Sequence, residues 1–153
     1  MARAGAADSH PELPTDPDLG PRSARLVGIV GIGGALGTAS RYGLSQWLPA
    51  GNGFPRGTLI ANLIGAVLLG VLLEALSRRG PDAGRLQQLR LLIGTGFCGG
   101  LTTYSTLAVE TDLLVRAHRD GLAATYAVIS IIAGVALAGL GIAIAARLHR
   151  PST

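Results

Sequence analysis

Stretches without a single charge constrain this chain more than any motif does. Residues 26–40, 58–73 and 122–146 contain no Asp, Glu, Lys, Arg or His. A helix crossing the hydrocarbon of a bilayer needs about 20 predominantly apolar residues, and windows of that kind recur along the chain. Only 14% of the 153 residues are charged, against roughly 25% in soluble domains. Much of the folded surface is therefore expected to meet lipid. The chain reads as an all-α, multi-pass protein of the cell membrane.

The remaining charge agrees with that reading. The net charge is +4, and all 13 basic residues are Arg. They sit mostly between or beside the apolar runs, where arginines anchor to lipid headgroups. No basic face survives once the apolar spans are set aside, which excludes a nucleic-acid partner. Cys98 is the single cysteine, so neither an internal disulfide nor a multi-thiol metal site is available. His10, His118 and His149 lie near chain ends or in a loop and are expected to be solvated. Residues 1–24 alternate Pro11, Pro14, Pro17 and Pro21 with Asp8, Glu12, Asp16 and Asp18. Such a segment cannot bury apolar surface and is expected to be a disordered tail. It lacks the apolar core of a signal peptide. A four-helix transmembrane domain is expected over 25–148, with a short tail at 149–153.

Four spans are expected. The first, 25–48, carries Gly28, Gly31, Gly33, Gly34 and Gly37. The spacing of Gly33 and Gly37 lets helix backbones approach closely in lipid. Arg41, Tyr42 and Trp47 then mark an interface, and Pro and Gly in 49–54 mark a loop. In the second span, 56–76, Thr58, Asn62 and Gly65 share one face. The third, 86–115, contains adjacent Gly99 and Gly100, then Thr102 and Thr103, all poor helix continuers. A break near Gly99 to Thr102 is expected. At membrane depth a break is tolerated only when buried in protein or facing an aqueous path. The fourth span, 121–148, places Tyr126, Ser130 and Gly134 on one face. Both termini then fall on one side of the membrane. One thin subunit has little interior in which to hide Asn62, the break and Glu110, so an oligomer is expected.

Several residues are candidates for chemistry. Asn62 is either an interhelical hydrogen-bonding group or a donor facing an anion. Glu110 is an acid within a span, which by default signals function, yet Thr106 one turn earlier offers it a structural partner. Tyr104 and Tyr126, two of six aromatic residues, lie beside polar intramembrane groups. The glycine string at 28–37 lacks the strand and βαβ context of a dinucleotide fingerprint. No Ser-His-Asp set, HExxH motif or paired carboxylates supports an enzyme.

Three motifs in order resemble one family. They are GGALGTASRY at 33–42, GTLIANLIGA at 57–66 and GFCGGLTTYSTL at 96–107, the last followed by Glu110. Together they resemble the Fluc/CrcB fluoride channels, a likeness covering about 26–148. That resemblance implies fluoride-selective passive efflux that relieves fluoride toxicity. It further implies an antiparallel dimer of four-span subunits and a structural sodium ion at the dimer centre. By motif position the sodium ligands are the backbone carbonyls of Gly99 and Thr102. The implied ion pathway comprises Asn62, Thr58, Arg41, Tyr104, Thr106, Tyr126 and Ser130.

The chain departs from the family pattern in three places. Tyr104 and Leu107 stand where two phenylalanines are usual, and Gly134 stands where a serine is usual. Divergence of this kind accompanies members that pair as heterodimers, so a homodimer and a heterodimer with an oppositely oriented homologue both stay open. A small proton-coupled four-span multidrug exporter would carry its carboxylate in the first span, and 25–48 contains none. A non-transporting scaffold would not need the GGLTT break.

Overall fold

The computed structural model describes residues 21–51 and 53–148, which are helical almost throughout. Most of the expected tail, the 149–153 segment, His10 and His149 lie outside the described residues. Helix α1 spans Pro21–Trp47. It starts on a proline, whose missing N–H costs nothing at a helix's first position, and so takes in part of the segment assigned to the tail. Helix α2 spans Arg56–Ser77. Between them Gly51 and Phe54 pair in a tight turn, with the Phe54 N–H donating to Gly51 O at 3.0 Å.

The next stretch is helical but not uniform. It runs as α3, Gly84–Leu89, a π-helical segment, Arg90–Cys98, and a short α4, Gly99–Leu101. Thr102 and Thr103 are then extended, and α5 begins at Tyr104, running Tyr104–Arg116. Gly99 itself is helical, with φ −63° and ψ −36°, so the paired glycines do not end the helix. The interruption lies at the two threonines after them. Helix α6 spans Asp120–Leu148. Among the described residues three helices, in α1, α2 and α6, are long and apolar enough to cross a membrane.

The glycines act by letting backbones touch. A Cβ at Gly33 would overlap Leu92 O of the π segment, and one at Gly37 would overlap Phe97 O. From the other side, a Cβ at Gly96 would lie 2.7 Å from Val30 O, and one at Gly100 would overlap Gly34 O. Gly33 and Gly37 thus mesh with Gly96 and Gly100, small-residue packing of the kind that holds helices together in lipid. α2 and α6 repeat the device: Gly70 lies against the Ala138 carbonyl, and Gly141 against Val67 O.

Large side chains face outward instead. Ile32, Leu36, Val128, Ile131, Ile132 and Val135 are all exposed, the reverse of a soluble core. The compact apolar cluster that does form joins Leu114, Ala123 and Tyr126 to Phe54, Leu59, Leu107 and Leu122. It ties α5 and α6 to the first loop.

His118 ends α5 in a left-handed conformation, φ 56°. Its N–H donates to Val115 O, and the Arg119 N–H donates to Leu114 O. This is the capping pattern that usually employs glycine.

The packing yields a contrast that thermal unfolding in detergent can check. Gly37→Leu should cost about 3 kcal/mol or more, because backbone rather than a movable side chain fills its space. Gly28→Leu, with nothing within 4 Å of the added Cβ, should unfold close to the parent.

Candidate functional site

The polar groups of the spans gather around the interruption. A helix that stops leaves its last carbonyls without partners, and here other helices supply donors. The Cys98 carbonyl takes the Thr102 N–H at 2.9 Å and the Thr102 hydroxyl at 2.8 Å. Arg41, from α1, donates through Nε to Gly100 O at 3.2 Å. Asn62, from α2, meets Thr103 with both ends of its amide. Its Oδ1 accepts the Thr103 N–H at 2.8 Å, and its Nδ2 donates to Thr103 O at 3.2 Å. Thr103 then caps α5, its Oγ1 accepting the Thr106 N–H at 3.1 Å. The carbonyls of Gly99 and Thr102 receive no such donor among the described residues.

The Asn62 geometry bears on both readings of that residue. A carboxamide has two N–H donors and two acceptor lone pairs. Thr103 uses one of each, which leaves one N–H for another partner.

A second cluster lies one turn further along α5. Glu110 accepts the Thr58 hydroxyl on Oε1 at 2.7 Å and the Tyr126 hydroxyl on Oε2 at 2.6 Å. One carboxylate thereby joins α2, α5 and α6. Tyr126 is 0% exposed, and Phe54 packs its ring against it edge to face, with centroids 5.5 Å apart. The Thr106 hydroxyl accepts from Arg41 Nη1 at 3.4 Å and from Thr103 at 3.0 Å. Glu110 is thus held by Thr58 and Tyr126, while Thr106 belongs with Arg41.

Two cavities meet at this cluster. One, about 270 Å³, is lined by Thr38, Arg41, Thr106, Thr58 and Glu110. The other, about 420 Å³, opens toward the loops and also reaches Ser45, Thr58 and Glu110. A third, about 450 Å³, lies on the other flank of the interruption and contains Asn62, Gly99, Thr102, Tyr104 and Leu107.

The fold therefore brings Arg41, Thr58, Thr106 and Tyr126 together around Glu110, with Asn62, Gly99 and Thr102 at the interruption beside them. Two residues stand apart within the subunit. Tyr104 is 82% exposed. Ser130 turns its hydroxyl back to Tyr126 O at 2.7 Å. Thr38 and Thr103 were not singled out from sequence. Thr103 was legible as a helix cap, a threonine directly before a helical run. Thr38, three residues before Arg41, shares its helical face.

Comparison with known proteins supplies the family. The family described as "CrcB-like protein, Camphor Resistance (CrcB)" matches residues 28–142. The chain belongs to the CrcB family. Among curated relatives it is 47% identical over 124 residues to "Fluoride-specific ion channel FluC 2" of Leifsonia xyli subsp. xyli, covering 81% of this chain and 86% of that protein. It is 41% identical over 123 residues to "Fluoride-specific ion channel FluC" of Oceanobacillus iheyensis, covering 79% and 92%. It is 44% identical over 119 residues to "Fluoride-specific ion channel FluC 1" of Cutibacterium acnes, covering 77% and 83%. The match to the CrcB family spans α1 to α6 and so includes every polar group described above.

The carboxylate is predicted to stabilise the subunit through both of its donors. Tyr126→Phe and Thr58→Val should each lower stability by about 1–3 kcal/mol, the cost of losing a hydrogen bond to a charged group. Chemical unfolding in detergent measures it. The double variant should depart from the sum of the two, because both substitutions act on one carboxylate.

Proposed function

We propose that this chain is a subunit of a fluoride-selective channel of the cell membrane. The channel lowers cytoplasmic fluoride by passive efflux and thereby relieves fluoride toxicity. One observation carries the reading: the Thr58 and Tyr126 hydroxyls meet Glu110 where two cavities meet, and Arg41 and Thr106 line one of those cavities with it. The three relatives' printed names point the same way. Fluoride is small and strongly hydrated. A dry path must replace its water with N–H and O–H donors, as side chains and backbone do in selective pores. Thr106 and the spare N–H of Asn62 have that chemistry, and the Thr58 and Tyr126 hydroxyls have it when they turn from Glu110. No ATP-binding motif is needed, since the membrane potential supplies about 2.3 kcal/mol per charge per 100 mV.

We read residues 84–116 as one membrane span in two pieces, completing four spans per subunit. The assembly we propose is an antiparallel dimer. Tyr104 supports it: a ring 82% exposed on one subunit can line an ion path only if a second subunit covers it. A structural sodium ion fits the interruption as well. Sodium takes oxygen ligands, and the Gly99 and Thr102 carbonyls have no donor among the described residues. Gly99 is exposed on the subunit surface, so a partner could add its own pair. Bound there, the ion would supply positive potential near the path. The chain's own contribution is to hold those two carbonyls open.

Whether the partner is identical remains a matter of orientation. Arg41, Arg56, Arg116 and Arg119 fall on the loop side, and the other nine arginines on the side of the termini. Basic segments stay cytoplasmic, so this bias favours a single orientation with both termini inside. A chain that builds an antiparallel dimer with itself must insert both ways. Leu107, in the third cavity, has no ring edge to offer an anion. Gly134 has no hydroxyl. Both features fit a partner of different sequence.

Three outcomes test these proposals. Purified protein in liposomes, with its partner subunit if one is required, should release fluoride and retain chloride. Equal release of both ions, or release of neither, would reject the channel reading. Asn62→Ala should abolish fluoride release while the oligomer persists on size exclusion; release at the parent rate would leave Asn62 a packing group only. Gly99→Leu has free space within the subunit. It should therefore weaken dimer formation while leaving subunit expression unchanged.

Orientation can be read by labelling, because Cys98 is buried and contributes little background. Ala117→Cys should label from outside and Ala83→Cys should not. Equal labelling of both, with full fluoride release by the chain alone, would establish a dual-topology homodimer.

A further inference from the structure

The loop-side cavity carries a feature that the polar cluster does not explain. Its floor is Thr58 and Glu110, and its rim includes Arg56 and Arg119. Arg56 opens α2, and Arg119 lies in the turn before α6. Neither guanidinium has a hydrogen bond or ion pair among the described residues. The neighbouring arginine differs in this respect, since Arg116 is paired with Asp112 at 2.6 Å.

The loop backbone makes room for both side chains. The space that a Cβ on Gly51 would take is filled by the Arg56 guanidinium, whose Nε would lie 2.9 Å away. The corresponding space at Gly53 is filled by Arg119 Nη1. Gly53 also has φ +82°, a conformation that other residues rarely adopt. Two glycines in one turn therefore seat two arginines beside a single opening. Phe54, next in the chain, anchors that turn on Tyr126.

We propose that Arg56 and Arg119 form an anion-gathering vestibule that raises the concentration of small anions over Thr58 and Glu110. At its mouth the cleft carries positive charge over apolar walls, an arrangement that focuses the field and concentrates counter-ions there, while Glu110 on the floor is the one acid in the lining. The walls here are Leu48, Leu113 and Leu114. Both arginines are exposed, so the effect is strong at low salt and is screened at high salt. The pair gathers anions but does not trap them, because Glu110 below supplies an opposing charge. The consequence for transport rests on the fluoride reading; the anion enrichment itself does not.

Trp47, the only tryptophan, reports on this mouth. It is 87% exposed and lies next in the chain to Leu48 of the cavity wall. In nonionic detergent at about 10 mM ionic strength, where the Debye length is about 30 Å, iodide should quench Trp47 more effectively than it does at high ionic strength. The Arg56→Gln/Arg119→Gln double variant should lower the iodide quenching constant about two-fold or more. Quenching by neutral acrylamide should stay at the parent value. Arg56→Lys/Arg119→Lys should retain the iodide response, and at high ionic strength all three proteins should converge. Fluoride release from liposomes should fall several-fold in the Gln variant at low ionic strength only.

Equal iodide constants for parent and Gln variant at low salt would overturn the vestibule. A matching change in acrylamide quenching would overturn it too, by showing a rearranged loop. If the parent releases no fluoride, the channel reading fails by itself, and the quenching comparison still decides the vestibule.

Discussion

A backbone amide without a hydrogen bond in hydrocarbon has no water to turn to, and each such group costs several kcal/mol. The interruption at Thr102 and Thr103 creates these orphans in the middle of the chain's apolar bulk. Much of the remaining structure can be understood as an answer to them. Asn62 takes both polar groups of Thr103, Arg41 takes the Gly100 carbonyl, and Thr102 folds its own hydroxyl back to Cys98. For Arg41 to reach Gly100, α1 must lie against the broken helix closely enough that backbones touch. Gly33 and Gly37 facing Gly96 and Gly100 provide that approach. The glycines and the polar residues are therefore parts of one device, the first setting the distance that the second needs.

The Glu110 cluster applies the same logic to a side chain. A carboxylate among helices of this apolarity is expensive to hold unless hydroxyls or cations meet it. Thr58 and Tyr126 meet it from two other helices, with Phe54 closing over the tyrosine ring. Not every polar group at the interruption is exhausted by the fold. Asn62 keeps an unused N–H, and two carbonyls at the interruption keep their lone pairs. These unused groups share one cavity, which Asn62, Gly99 and Thr102 all line. Elsewhere the subunit shows mainly apolar side chains, as lipid requires.

Much of this was legible in sequence, and the reasons differ residue by residue. Uncharged runs of sufficient length marked the helices, because hydrocarbon tolerates few alternatives. Thr58 and Asn62 fell on one face of α2 by simple helical spacing. The Gly33–Gly37 pair announced close packing. The paired glycines at 99 and 100 were less transparent. Glycine is read as a helix breaker from its behaviour in water. Here both remain helical; a Cβ at Gly100 would overlap Gly34 O of α1, whereas nothing in the subunit lies within 4 Å of one at Gly99. The break passed instead to Thr102 and Thr103, whose hydroxyls and backbone found partners outside the ladder. Thr106 was offered as the partner of Glu110 on helical spacing, yet the glutamate turned to hydroxyls far away in sequence.

The sequence by itself determined that the chain crosses lipid, roughly where, and which family it belongs to. Those properties are written in local composition and in contiguous motifs, which need no partner to be read. Tertiary structure decided which donor meets which acceptor. That Asn62 spans both sides of Thr103, that Glu110 joins three helices, and that Gly51 and Gly53 seat Arg56 and Arg119 follow from how rigid helices dock. Such contacts link residues dozens of positions apart or separated by turns. Their geometry is settled only when backbones come within van der Waals distance, because hydrogen bonds weaken steeply beyond a narrow range of distance and angle.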